Sequence, residues 1–304
     1  MRAFIVMQGR TYQQEKAAGL IWTEQRSSGQ VIPPTWQRIN QIQPQDILFH
    51  YVAGRIVAVS QALTAVRQVS RPSFLSAKVG PQVNVVSLKY YPLPQPLAIT
   101  SVLADLKPLF PRKHAAFQQD GSGNQGYIYP CYSLLLAKLI TLIEEQYFIA
   151  KQTEQLSLVM SAVTAVDNDP LMMLLVNAAL LNQRQMIRTE QIFQRAVLQR
   201  QPAHCAVCGL ADPALLQASH LKPLKDSAPA DRRNADNGVL LCPNHAALLA
   251  QGKISFSRGG WLLISPQLSQ SDQQNLLLDP AIRVSFRPHA APFLNWHRRY
   301  IFQK

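Results

Sequence analysis

Along the first 150 residues, apolar and polar positions alternate in short runs broken by Pro, Gly and Gln: AFIVM at 3–7, DILFHYV at 46–52, RIVAVSQAL at 55–63, VNVVSLKYY at 83–91 and GYIYPCY at 126–132. Runs this short, rich in β-branched and aromatic residues, predict strands, and their close succession predicts a compact barrel. The period then changes. YSLLLAKLITLIEEQYFIAKQ and DNDPLMMLLVNAALLNQRQMI predict helices, with Asp169 and Pro170 opening the second. Its Met172, Met173, Leu174, Leu175 and Val176 are more apolar than an exposed connection requires, which predicts a self-association surface. From Arg188 to Arg200, Ile192, Phe193, Val197 and Leu198 recur at helical spacing. KISF and WLLIS then flank a Ser-Arg-Gly-Gly turn, a hairpin signature. The pattern predicts an α+β protein: a β-rich domain over 1–150, a helical linker over 151–185 and a mixed domain over 186–304.

Charge adds a partner class. The chain carries 30 Lys and Arg against 17 Asp and Glu, a net +13. The basic excess lies in the two end regions and not in the middle segment, so both end domains are expected to touch a polyanion. The longest apolar stretch, PLMMLLVNAALL, is broken by Asn177 and falls short of the roughly 20 residues needed to span a bilayer, so no membrane partner is expected. The N-terminus enters a strand directly, without a secretory apolar region, which together with metal-type cysteine usage predicts a cytoplasmic protein.

The candidate chemistry is concentrated between residues 205 and 251. Cys205-x2-Cys208 is followed after 33 residues by Cys242-x2-His245, two knuckles of the kind that give structural Zn2+ its four ligands. The fourth cysteine, Cys131, is expected to be a packed thiol. Between the knuckles stand His220 in ASHLKP and Asn237 in DNG. A histidine titrates near neutrality and suits general-base work.

Cys205, Cys208, His220, Asn237, Cys242 and His245, in this order, resemble the HNH nuclease family with its zinc-knuckle and ββα-metal fold. The resemblance implies that His220 deprotonates the water that attacks a phosphodiester, and that Asn237 fixes the loop that orients it. It also implies a catalytic divalent cation, Mg2+, Mn2+, Co2+ or Ni2+, held just before the base and on the helix after the second knuckle. This sequence departs from the family there: it has Ser219 before the base, and Ala246 and Ala250 where the family places an i, i+4 ligand pair. Position 246 admits two readings, a natural loss or a His→Ala replacement that disables cutting while sparing zinc, base and asparagine.

In the first 150 residues MRAFIVMQG, GLIW, PPTWQRI, QPQDILFHYVAGRIVAVSQA and NQGYIYP resemble the EVE branch of the PUA-like superfamily, whose small barrel accepts a modified base. That resemblance implies extrusion of a modified cytosine, 5-methyl or 5-hydroxymethyl, from double-stranded DNA. Trp22, Trp36, Phe49 and Tyr51 are the candidate pocket walls, with His50 to hydrogen-bond a base edge or phosphate. Together the two resemblances suggest an EVE-HNH modification-dependent (type IV) restriction endonuclease. The alternative is a non-catalytic modified-DNA-binding protein whose degenerate, zinc-stapled HNH fold only holds phosphate. A double-strand cut from one site per chain would require a homodimer or two binding events.

Overall fold

The computed structural model of the 304-residue chain describes residues 1–25, 33–155 (backbone alone over 148–155) and 169–304. Residues 156–168 of the expected linker lie outside the described residues. The chain divides into two compact units, Met1–Arg184 and Gln185–Lys304. No helix among the described residues is long and apolar enough to cross a membrane.

Among the described residues the first unit is built on seven strands: β1 (Ala3–Gln8), β2 (Leu20–Glu24), β3 (Ile47–Val52), β4 (Arg55–Ala62), β5 (Arg67–Ser70), β6 (Gln82–Ala98) and β7 (Ile128–Pro130). The pairing order is β2-β6-β4-β3-β1-β7, with β5 also on β6. β1 and β3 run parallel, with Ile5 opposite Phe49; the other pairs are antiparallel. Strand β3 is buried along nearly its whole length, because alternate side chains enter cores on opposite faces of the sheet. Phe49 and Tyr51 join Ile5, Ile56 and the helix residues Leu136, Leu139 and Ile140. Leu48 joins Phe4, Ile21, Ile39 and Val86.

The expected closed barrel is not what forms: among the described residues the sheet is a curled half-barrel, with β2, β5 and β7 each paired on one side only. Register shifts at His50/Tyr51 and Ile56/Ala58 bend it, as bulges do. The second shift coincides with the PLPQP segment of β6, whose prolines cannot donate to the ladder. Closure is then unnecessary for burial, since the helix Ser133–Gln155 and the start of the helix Pro170–Leu198 pack their apolar residues on one face. The expected helix start is present: Asp169 Oδ1 accepts from the Leu171 amide at 2.9 Å and caps the first turn before Pro170. Met172, Leu174 and Leu175 enter the core, whereas Met173 and Val176 are exposed. Cys131 is buried, and burial pushes its thiol up.

The second unit centres on β8 (Gln217–His220) and β9 (Gly238–Leu241), an antiparallel pair followed by the helix Pro243–Ala250. The hairpin read from KISF and WLLIS forms as β10 (Ile254–Phe256) and β11 (Leu262–Ile264). Of the four apolar residues at helical spacing after Arg188, Phe193 and Val197 are fully buried, while Ile192 and Leu198 stay exposed. Phe193 and Val197 pack with Leu221, Val239, Leu241, Leu249 and Phe256 in a single core.

Candidate metal centre and catalytic histidine

The two knuckles converge. One ligand atom from each of Cys205, Cys208, Cys242 and His245 lies within 4.8 Å of the others. Nδ1 of His245 is 3.4 Å from Cys205 Sγ and 3.1 Å from Cys242 Sγ, and Cys208 Sγ is 4.0 Å from Cys242 Sγ. A tetrahedral zinc, about 2.3 Å from sulfur and about 2.0 Å from nitrogen, sets ligand separations of roughly 3.5–3.8 Å, so this donor set fits it. The far nitrogen of His245, Nε2, donates to the Leu276 carbonyl at 2.8 Å. That bond fixes the tautomer and leaves Nδ1 as the ligand atom. Burial works against the Cys205 thiolate, but the hydrogen bond with His245 and the amides of Cys208, Cys242 and Val207 outweigh it and hold the thiol below its ordinary pKa. With all four donors supplied by the protein, a zinc held here would leave no position open for substrate and would be structural, tying the segment before β8 to the helix after β9.

His220 ends β8 opposite Gly238. A Cβ at residue 238 would come within 2.5 Å of Val197 and 2.7 Å of Phe193, so glycine there lets the helix Pro170–Leu198 approach the strand pair. Phe193 consequently stacks on the His220 imidazole, with ring centroids 3.6 Å apart and planes 12° apart. His220 Nε2 lies 3.2 Å from the Arg232 carbonyl. A carbonyl only accepts, so Nε2 carries the proton and Nδ1 keeps its lone pair. Burial lowers the pKa of His220 below the ordinary 6.5, with the Arg232 carbonyl opposing, which favours the neutral ring.

Asn237 is fully buried beside it. Its Oδ1 accepts from the Lys222 amide at 2.8 Å, and its Nδ2 donates to the carbonyls of Lys222 at 3.0 Å and Asp231 at 3.3 Å. The asparagine therefore staples both ends of the 222–231 loop. The Arg232 carbonyl that holds His220 follows directly on the stapled Asp231. Ser219 precedes His220 on β8, Ala246 is buried and Ala250 is exposed on the following helix. None of the three offers a strong donor for a divalent cation, so the residues present do not fit the catalytic metal that the family resemblance implies.

The candidate base pocket is assembled differently. Trp22 and Trp36, both partly exposed, meet edge to face at 6.1 Å, and Tyr127 packs against Trp36 at 5.3 Å. Phe49 and Tyr51 lie instead in the core on the opposite face of the sheet. His50 is fully buried, with Nδ1 2.6 Å from Gln8 Oε1 and Nε2 2.7 Å from Ser60 Oγ; both ring nitrogens are already engaged within the protein. Burial drives its pKa down to about 3. Sequence reading missed Glu15, only 2% exposed, which collects bonds from Thr11 Oγ1 at 2.6 Å, Trp22 Nε1 at 3.2 Å, Tyr127 OH at 3.2 Å and Gln8 Nε2. These donors occupy its carboxylate and fix the planes of Trp22 and Tyr127. Nothing in the QQEKA surroundings marks that role, since a glutamate in a short amphipathic helix ordinarily faces solvent.

A family model described as HNH endonuclease matches residues 205–257. That stretch is an HNH domain. It holds both knuckles, the ββα unit, His220 and Asn237, and HNH chemistry implies a DNA substrate for the nuclease domain. No curated protein matches the chain. Among solved structures it is similar to an NMR structure from Rhodopseudomonas palustris, with 14% identity over 34% of this chain and 71% of that one and a TM-score of 0.23. It is also similar to a crystal structure from Agrobacterium tumefaciens, with 12% identity, 47% and 93% coverage and a TM-score of 0.33. A third is the YTH domain of a Zygosaccharomyces rouxii protein in complex with N6-methyladenosine RNA, with 12% identity, 46% and 86% coverage and a TM-score of 0.28.

Proposed function

We propose that this protein is a modification-dependent DNA endonuclease of the EVE-HNH kind, with its catalytic centre incomplete at position 246. The observation that carries the proposal is the positioning of His220: a neutral imidazole with its Nε2 proton on the Arg232 carbonyl, a free Nδ1 lone pair, and an asparagine holding the loop that supplies the carbonyl. A histidine so held can take a proton from water as the oxygen attacks phosphorus and the 3′ or 5′ oxygen departs. Zinc, when bound, cross-links the unit and takes no part in this chemistry. A chain with Ala246 supplies the base without the cation ligand, so cutting should be weak while binding persists.

In the first unit, Trp22 and Trp36, in edge-to-face contact, form a corner beside the position proposed for an extruded cytosine, with Tyr127 against Trp36 and Glu15 keeping the rings in place. Planar walls fixed before binding favour a flat ligand, because less side-chain entropy is lost when it enters. The second reading, a binding protein with a degenerate nuclease fold, is favoured by the alanines at 246 and 250. Recognition is tested by titrating the full chain with duplexes bearing cytosine, 5-methylcytosine or 5-hydroxymethylcytosine. Trp22→Ala or Trp36→Ala should cost about 1–3 kcal/mol with the modified duplex and erase the preference. Equal affinity for all three duplexes would refute the reader assignment.

A further inference from the structure

The β10–β11 hairpin carries a surface that zinc binding and base catalysis leave unused. Its turn is Ser257-Arg258-Gly259-Gly260, and Trp261 follows, 46% exposed. The turn is rigid. Gly260 has φ +84, and a Cβ there would lie 2.0 Å from the Val284 carbonyl oxygen; the Val284 amide bonds Gly260 O at 2.9 Å, and the Leu262 amide bonds Ile282 O at 2.9 Å. The hairpin is thereby fastened to the 282–284 segment, and Trp261 is bridged to Arg283.

Arg283 lays its guanidinium over the Trp261 ring, 5.3 Å from the centroid, while its Nε donates to the Gly259 carbonyl at 3.1 Å. Among the described residues, neither Arg283 nor Arg258 on the neighbouring turn has a carboxylate partner. Stacking on the indole and bonding through Nε fix the guanidinium plane and leave its two terminal amino groups for an outside acceptor. The surrounding sequence favours an anion: neither 237–271 nor 280–304 contains an aspartate or glutamate. Arg287 and Arg299 are also exposed in this acid-free stretch.

We propose that Trp261, Arg283 and Arg258 form a DNA-backbone contact made by residues other than His220 and the Cys3His set, in which the two arginines take phosphates of a duplex and the indole packs against the sugar between them. The proposal rests on the nucleic-acid reading of the HNH domain but not on base modification, and plain DNA should show it. Phosphate contacts carry no sequence information; they set register and release counterions. A contact of this kind would hold the duplex for the nuclease domain whether or not a modified base is present.

The test is a salt series of binding constants, by fluorescence anisotropy, for the zinc-loaded full chain and an unmodified duplex. Arg283→Ala and Arg258→Ala should each flatten the slope of log K against log salt by about 0.9, the value for one lost phosphate. Trp261→Ala removes the sugar contact and the ring that orients Arg283, so it should weaken binding about tenfold and flatten the slope by no more than Arg283→Ala does, and Trp261→Phe should recover most of that loss. Zinc content and thermal midpoint, read on every variant, separate a lost contact from a lost fold. Folded variants with the parent's slope and affinity would overturn the proposal. Failure of the base-reader assignment has a different signature, equal affinity for modified and plain duplexes, and leaves these slopes untouched.

Discussion

The two units hold their polar groups in different ways. In the HNH domain the Cys3His donor set, His220 and Asn237 fall between residues 205 and 245, and most of their partners are backbone atoms: Leu276 O for His245, Arg232 O for His220, and Lys222 and Asp231 for Asn237. In the first unit the polar centre is a side-chain network. Trp22, Glu15, Gln8, His50 and Ser60 are joined in series, and Tyr127 reaches Glu15 across 112 residues of sequence. A site made by one local motif tolerates change around it, because backbone acceptors do not mutate. A site made by sheet topology fails as a set when one member goes.

The largest expected break in this comparison is loss of zinc. Cys205→Ser opens the Cys3His centre, and structural zinc in small domains contributes apparent binding free energies of about 10 kcal/mol or more at neutral pH. The full chain should lose its metal and become protease-sensitive over residues 205–260, while fragments from the first unit stay resistant. Zinc analysis with limited proteolysis checks this; an ordered, zinc-free second unit would contradict it.

In the first unit acid should act through His50. His50 has a folded pKa of about 3 against an ordinary 6.5, so the unfolded chain binds its proton first. The stability it gives is fully present above pH 6.5 and is lost as pH falls toward 3, at up to about 1.4 kcal/mol per pH unit. Denaturant midpoints of the first unit between pH 7 and 4 should fall accordingly, and His50→Gln should flatten that dependence at a lower starting stability. A midpoint independent of pH in the parent would show that His50 is not held neutral.

That contrast also decides what the sequence could disclose. The convergence of Cys205, Cys208, Cys242 and His245 was legible because two x2 spacings bring four donors to one place whatever the surrounding fold, and His220 and Asn237 stand between them in family order. The strands at AFIVM, DILFHYV and RIVAVSQAL were legible from β-branched and aromatic content. Closure into a barrel was not, since it depends on where β6 bulges at PLPQP and on helices covering the sheet. Phe49, His50 and Tyr51 looked like pocket residues because an aromatic run has no mark of which face is core. Glu15 was invisible for the opposite reason: its importance comes from Tyr127 and Trp22, which only tertiary structure brings to it. Phe193 was read as a core residue, and it is one, but its stack on His220 required Gly238 to admit it.

The smallest expected effect sharpens the local site. Phe193→Leu keeps an apolar side chain but removes the flat face against His220, at about 1 kcal/mol of stability. With the ring less enclosed, the imidazole pKa should move up from its lowered value toward 6.5, so the neutral base is lost at higher pH than in the parent. The His220 ring resonances in an NMR titration report this without any cleavage. An unchanged titration in a folded variant would assign the depression to other neighbours.

The central claim is that the HNH domain has its base and positioning loop in place and lacks a cation ligand at 246. The direct measurement is cleavage of a modified plasmid by the chain as it stands, by Ala246→His and by Ala246→His with His220→Ala, each with magnesium, manganese, cobalt or nickel. The account predicts little cutting by the first, divalent-dependent nicking or cutting by the second, and its loss in the third with DNA affinity nearly unchanged. Robust cutting by the chain with Ala246, or none by a folded, zinc-loaded Ala246→His variant, would contradict it.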